Sequence, residues 1–274
     1  DYLPYPIGAV TGNDVDGVAD SLGVYVLLEG IVHCIDFDGD EGLSFTIIDD
    51  VNDGINVFNY ADVSAYVVNE GDMIRVYGQI DQYNGLTEIF ADSIIVATQN
   101  MPITNPTVVT ALDESTESQW ITLEDVDFVT PITTFPTGST NLDVTDGTNV
   151  YTLRIDSDTD IPGAAAPQGQ FSVTGIGGQY DSSNPFDEGY QLFPCGVGSF
   201  VPNSTIGIEY YILADLVRVF PNPFGDNLHI DFVGIDELYV EVLDAQGRRI
   251  QGLKLNDSQD IVTSSWNEGI YFVH

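Results

Sequence analysis

Gly71-Asp72-Met73-Ile74-Arg75-Val76-Tyr77-Gly78-Gln79-Ile80-Asp81-Gln82-Tyr83 has a counterpart further along the chain, Gly169-Gln170-Phe171-Ser172-Val173-Thr174-Gly175-Ile176-Gly177-Gly178-Gln179-Tyr180. Each reads as a turn glycine, an alternating strand, a strand glycine, a shorter strand, and then Gln-Tyr before a polar hairpin tip. The likeness continues upstream. Phe45–Asp49 corresponds to Leu142–Asp146, Ile55–Phe58 to Val150–Leu153, and Val24–Phe37 to Trp120–Thr134. A supersecondary unit has therefore been used twice.

The shared order is a long bent strand, a second strand ending in Asp, a third strand, a Gly-initiated fourth strand, a hairpin and a fifth strand. That order predicts an all-β chain with two OB-like Greek-key barrels. Glycines such as Gly30 and Gly78 suit strands that bend around a small barrel. The boundaries read as an extended N-terminal segment at 1–18, barrel one at 19–98, a linker at 99–109 and barrel two at 110–200. A second linker at 201–217 and a small Ig-like β-sandwich at 218–274 complete the chain. The best short helix candidate is Tyr60–Tyr66, and no stretch sustains a helical period over three turns.

Composition narrows the function. With 43% hydrophobic residues the chain can build real cores, and no apolar run approaches the roughly 20 residues that span a bilayer. The formal charge is −37, which argues against binding nucleic acid through its phosphates. Charge is unevenly placed: residues 1–214 hold 33 of the 43 acids but only Arg75 and Arg154 of the six cations. The final stretch is thus compositionally distinct. Asp1 is not a start methionine, so the sequence is expected to be a mature form or a fragment.

Two resemblances follow. Asp16-Gly17-Val18-Ala19-Asp20-Ser21-Leu22-Gly23, Gly42–Asp49 and Tyr83–Ile89 are similar to tandem OB-like modules in large exported proteins of Bacteroidetes-type bacteria. The second is more specific. Pro221-Asn222-Pro223-Phe224 opens a segment that runs through Asp244-Ala245-Gln246-Gly247-Arg248 to Gly269-Ile270-Tyr271-Phe272-Val273. It resembles the type A sorting domain of the type IX secretion system, and the residues carrying the motif are Pro221, Asn222, Pro223, Asp244, Gly247, Arg248, Gly269 and Tyr271. The resemblance implies export, contact with the type IX machinery, and a location outside the cell or on its outer surface. Such domains usually continue past Gly-Ile-Tyr-Phe-Val with another basic strand, so the end at His274 reads either as a trimmed or incomplete terminus or as a sheet edge left open.

Candidate sites are few. Asp14, Asp16 and Asp20, then Asp36, Asp38 and Asp40, then Asp156, Asp158 and Asp160, are spaced so that alternate carboxylates could wrap a calcium ion. Glu41 stands where a calcium loop wants Gly. The competing reading for each cluster is a solvated hairpin tip. Cys34 and Cys195 could pair within the chain, pair between copies, or stay free. Ser21 and Ser93 lie in Asp-Ser-aliphatic stretches that resemble O-glycan acceptors of the same bacteria, and Asn203-Ser204-Thr205 matches an N-glycan sequon. Of the three histidines, His33 lies in a strand and reads as packed there. No nucleophile elbow or paired-His motif is present. Tyr60, Tyr66, Tyr77 and Tyr83 give barrel one stacking rings with only Arg75 as a cation, which suits carbohydrate or protein better than single-stranded nucleic acid.

The expectation is a non-catalytic structural or adhesive protein of the cell exterior. Its copies are expected to add strands to one another through the extended Asp1–Ile7 segment, so the partners expected are the secretion machinery and further copies of the chain, with no nucleic acid and no membrane insertion. The alternatives are an accessory region of a secreted nuclease or phosphoesterase, and a carbohydrate-binding module.

Overall fold

The computed structural model describes residues 1–39, 42–203, 217–232 and 238–273. Asp40 and Glu41 of the second acidic cluster, Ser204-Thr205 of the sequon, and His274 lie outside the described residues. The chain is all-β, with 48% strand against 4% helix. It divides into two compact units, Asp1–Thr205 and Ile206–His274.

The first unit opens with β1 (Leu3–Pro4), β2 (Tyr25–His33), β3 (Leu43–Ile48), β4 (Gly54–Asn59), β5 (Met73–Tyr83) and β6 (Leu86–Thr98). β2 pairs antiparallel with β3 and β3 with β4; β4 runs parallel to β6, β6 antiparallel to β5, and β5 returns to β2. Five strands thus close into a barrel. The same cycle follows with β7 (Thr107–Val108), β8 (Trp120–Phe128), β9 (Thr140–Thr145), β10 (Val150–Ile155), β11 (Phe171–Gln179), β12 (Tyr190–Pro194) and β13 (Phe200–Pro202). β8 pairs with β9, β9 with β10, β10 parallel with β12, β12 with β11, and β11 back onto β8.

Alternation explains the cores. Val26, Leu28 and Val32 of β2 meet Ile74 and Val76 of β5 and Phe45 of β3 inside the first barrel. In the second, Phe128, Phe135, Phe171 and Phe200 form a ring cluster with centroid spacings of 5.0–5.9 Å. The duplicated strand glycines have one physical cause. A Cβ on Gly78 would lie 2.3 Å from the Phe90 carbonyl oxygen, and one on Gly175 would lie 2.3 Å from that of Phe193. In each barrel the fourth strand crosses the fifth at a spacing that only glycine permits.

β6 is continuous from Leu86 to Thr98, with a register shift where Tyr77 and Gly78 face it. Two expectations change. Tyr60–Tyr66 is no helix: Ser64 and Ala65 adopt φ of 58° and 51°, left-handed values that stop a right-handed helix. The N-terminal segment is not held out for a neighbour. Leu3 and Pro4 pair parallel with Val26 and Leu27, and Ile7 and Val10 are buried in the first barrel's core. β7 repeats this device by pairing parallel with β8. Each barrel therefore begins with a short strand docked on its own first long strand.

The barrels share a third, smaller core. Cys34, Ile48, Trp120 and Ile176 are buried together, flanked by Phe37, Ile103 and Phe193. Backbones approach closely at this joint. A Cβ on Gly54 of β4 would fall 1.7 Å from the carbonyl oxygen of Ser118, just before β8. Gly54→Ala is expected to cost about 2–3 kcal/mol through overpacking against rigid backbone. Gly198→Ala, where a Cβ meets nothing within 4 Å, is expected to stay within about 0.5 kcal/mol. Urea unfolding of both variants checks the pair.

The second unit holds β14 (Val217–Phe220), β15 (Asn227–Phe232), β16 (Leu238–Asp244), β17 (Arg249–Leu255), β18 (Gln259–Val262) and β19 (Tyr271–Val273). They form two three-stranded sheets, β14-β15-β18 and β17-β16-β19. Leu228, Ile230, Val240, Val242, Leu255 and Ile261 are buried between them. Among the described residues no helix is long and apolar enough to cross a membrane.

Candidate functional site

In the second unit the motif residues converge on one turn and one aromatic cluster. Asp244 ends β16, and its Oδ1 accepts hydrogen bonds from the backbone N–H groups of Gln246 and Arg248, both at 2.9 Å. Its Oδ2 accepts from Arg248 Nε and Nη2, each at 2.7 Å. These donors, the Arg248 backbone first, hold the carboxyl below its usual range. Gly247 sits at φ 76°, left-handed backbone that favours glycine, and its N–H donates to the Asp244 carbonyl at 2.9 Å. The spacing Asp-x-x-Gly-Arg is thus a self-capped turn. Pro221, Asn222 and Pro223 are exposed, and lead into Phe224. That ring packs 5.9 Å from both Trp266 and Tyr271, which are themselves 5.0 Å apart. Tyr271 OH donates to the Asn267 carbonyl at 2.6 Å, while Gly269 is exposed.

The acidic clusters of the first unit are turns. Asp14 Oδ1 accepts from the N–H groups of Asp16 and Val18 at 2.9 and 3.0 Å. Asp36 Oδ1 accepts from Asp38 N–H at 3.1 Å and Ser44 N–H at 2.8 Å. Asp156 Oδ1 accepts from Asp158 N–H at 3.0 Å, and Asp160 Oδ1 from Val197 N–H at 2.8 Å. Asp20 is exposed beside Gly12. Among the described residues no three His, Cys, Asp or Glu side chains gather as ligands for a metal ion. The stretch 13–19 instead clasps the two barrels. Asn13 Nδ2 donates to Glu114 Oε1 at 2.6 Å, and Phe186 N–H donates to the Asp16 carbonyl at 2.8 Å.

Around that clasp lie three carboxyls that sequence reasoning did not single out. Glu88 on β6 is buried, and Asn56 Nδ2 donates to its Oε2 at 3.4 Å. Burial pushes it up to about 7. Glu117 accepts from Thr87 N–H at 3.0 Å through Oε1. Some of its side chain remains accessible, but Oε2 is sealed from solvent and has no partner. Desolvation pushes this carboxyl up to about 8, with Glu114 adding like-charge repulsion. Glu114, raised mainly by burial, accepts from Tyr190 OH at 3.1 Å.

Cys34 and Cys195 form a disulfide across the joint, with Cα atoms 5.2 Å apart. Cys34 follows β2 and Cys195 follows β12, so the bridge ties one barrel to the other. His33, next to it, is fully buried. Its Nδ1–H donates to the Ile31 carbonyl at 2.9 Å, and Nε2 accepts from Thr104 N–H at 3.2 Å. Desolvation lowers its pKa, so this histidine is a neutral packing residue. Ser21 is half-buried in the turn before β2; Ser93 is half-buried in β6, its hydroxyl 3.4 Å from that of Ser64.

Between the barrels the joint leaves a cleft of about 490 Å³. The first barrel contributes Phe37, Thr46, Asn56 and Tyr83; the second contributes Arg154, Gln179, Tyr180, Gln191 and Phe193. The repeated Gln-Tyr pairs explain part of this wall. Gln82 Nε2 donates to the Gly17 and Gly85 carbonyls at 2.7 Å each, and Gln179 Nε2 to those of Phe186 and Glu188 at 3.1 and 2.9 Å. Each amide pins its own hairpin loop. The tyrosines that follow, Tyr83 and Tyr180, then face each other edge-on with centroids 6.3 Å apart.

No curated protein matches the chain. Among solved structures, the crystal structure of the tetrameric p202 HIN2 is similar at a TM-score of 0.31 and 9% identity, covering 63% of this chain and 90% of that one. The crystal structure of the p204 HINb domain is similar at 0.28 and 11%, covering 64% and 94%. Likeness at this level carries no argument about function. Residues 218–274 match the secretion system C-terminal sorting domain. The chain therefore carries the sorting tail of a type IX secreted protein, and its place is the cell surface or the extracellular medium.

Proposed function

We propose that the chain is a non-catalytic adhesive or structural building block of a Bacteroidetes-type cell surface, and that its two barrels are of the OB type. The observation that carries this is the union of an export tail with a disulfide-tied pair of barrels. A bridge of this kind persists in the oxidising exterior and is rare in the cytosol. Aromatic rings and amides converge on the cleft between the barrels, where contact with an outside partner would be made. The N-terminal strand is docked on its own barrel, so the block acts in this reading without donating that strand to a neighbour.

The test compares wild-type cells with a strain whose copy retains residues 206–274 but lacks 1–205. Attachment to a solid surface is expected to fall several-fold in the deletion strain at equal growth. Equal attachment, or turnover of nucleic acid or a phosphoester by the purified chain, contradicts the reading and favours the nuclease-accessory alternative.

A further inference from the structure

We propose that the inter-barrel cleft binds a short neutral saccharide. This deepens the adhesive reading by naming the ligand class. Its own test uses the purified chain, so loss of binding and loss of attachment are separable.

Four observations converge. The first is a buried polar floor. Thr46, Asn56, Ser118, Gln179 and Gln191 line the cavity, yet each is no more than 8% exposed. Amides and hydroxyls are costly to bury without partners. Asn56 spends its Nδ2 on Glu88, and Gln179 its Nε2 on the Phe186 and Glu188 carbonyls, so both amides are held in place on the cavity wall.

The second observation is the pair of rings at the rim. Tyr83 and Tyr180 are 59% and 54% exposed, and their rings meet edge-on. Phe37 and Phe193 form a second edge-on pair, 5.6 Å apart, on another part of the wall. Ring faces beside planar amides match a pyranose, whose C–H faces are apolar and whose hydroxyls lie at its edge.

Charge decides between ligand classes. Among the described residues, the cleft is lined by one cation, Arg154, together with Asp156, in a protein of net charge −37. A polyanion would gain nothing here and would be repelled by the rest of the surface. A neutral ligand meets neither difficulty. Finally, the cavity volume of about 490 Å³ falls within the roughly 300–1,000 Å³ of ligand sites, and the disulfide and glycine contacts fix both walls before a ligand arrives.

The experiment is isothermal titration of the oxidised full chain with short oligosaccharides of laminarin, cellulose, xylan, mannan and chitin. An alginate oligosaccharide, a single-stranded oligonucleotide and an unstructured peptide complete the panel. At least one neutral oligosaccharide is expected to bind, with an affinity little affected by salt. Tyr83→Ala and Tyr180→Ala are each expected to weaken it about tenfold. Tyr60→Ala, at a ring that is 76% exposed outside the cleft, is expected to change nothing. Both cleft tyrosines are largely exposed, so their variants should fold, and an unchanged melting temperature verifies this. The proposal is overturned if no neutral member binds, if binding is indifferent to both cleft tyrosines, or if the alginate, oligonucleotide or peptide occupies the cleft instead.

Discussion

Reducing the Cys34–Cys195 bridge, or replacing both residues by serine, is expected to destabilise the first unit by about 4–5 kcal/mol. The bridge spans 161 residues, so it removes a large share of the unfolded chain's freedom, and in the chain-entropy account loops of that size are worth about that much. The corresponding fall in melting temperature is roughly 10–15 °C for a unit of this size. Because both cysteines lie in Asp1–Thr205, a calorimetric transition of the sorting unit should stay where it was. The bridge also bears on the cleft, since Phe37 and Phe193 follow and precede its ends by a few residues. An unchanged scan after verified reduction would show that the glycine contacts and the shared apolar cluster hold the barrels unaided.

Raising the pH from 5 to 8 should also weaken the first unit. Glu88 and Glu117 are raised by burial from a reference of 4.5 to about 7 and about 8. Both are protonated in the folded chain at mild acidity, while the unfolded chain already releases the proton above 4.5. Their contribution is therefore fully present below that value, and it is lost as pH climbs through 7 and 8. The combined loss is on the order of a few kcal/mol. Asp146 works the other way at the acid end. The Asn149 N–H first, then Tyr151 OH and Thr148 N–H, hold it at about 2, so its stabilisation disappears as pH falls toward that value. The whole surface also repels itself less when acid, so the wild-type profile does not isolate the joint. Glu117→Gln does. The amide keeps the acceptor for Thr87 N–H and cannot ionise. The variant is expected to match wild type near pH 4.5 and to exceed it by on the order of 2 kcal/mol at pH 8. Parallel profiles across that range would show that Glu117 ionises freely in the folded protein.

The parts of this protein that could be read directly were those written in short range. The Gly71–Tyr83 and Gly169–Tyr180 stretches carry strand alternation, the crossing glycines Gly78 and Gly175, and the Gln-Tyr pairs that pin both hairpins. Asp244 to Arg248 forms a complete turn within five residues. What escaped is assembled from distant segments. Glu88, Glu114 and Glu117 are three acids among 43, and nothing near them in sequence marks them as buried. The cleft draws on both barrels, so its ligand face exists only once Tyr83 meets Tyr180. The acidic clusters are ambiguous for a related reason. Alternate Asp residues that could wrap a cation are also what a tight turn uses to cap its own N–H groups, and Asp14, Asp36 and Asp156 do the latter. Tyr60–Tyr66 looked helical because composition does not reveal the left-handed backbone at Ser64 and Ala65.

The account rests on residues 218–274 acting as an export address for a body that does its work outside the cell. The direct measurement is fractionation of a native host expressing the full chain and a form lacking 218–274, each with an intact or an inactivated type IX system. The full chain should reach the surface or medium only when the system is intact, and the truncated chain should remain in the periplasm. Truncated protein found outside at wild-type levels would contradict the account.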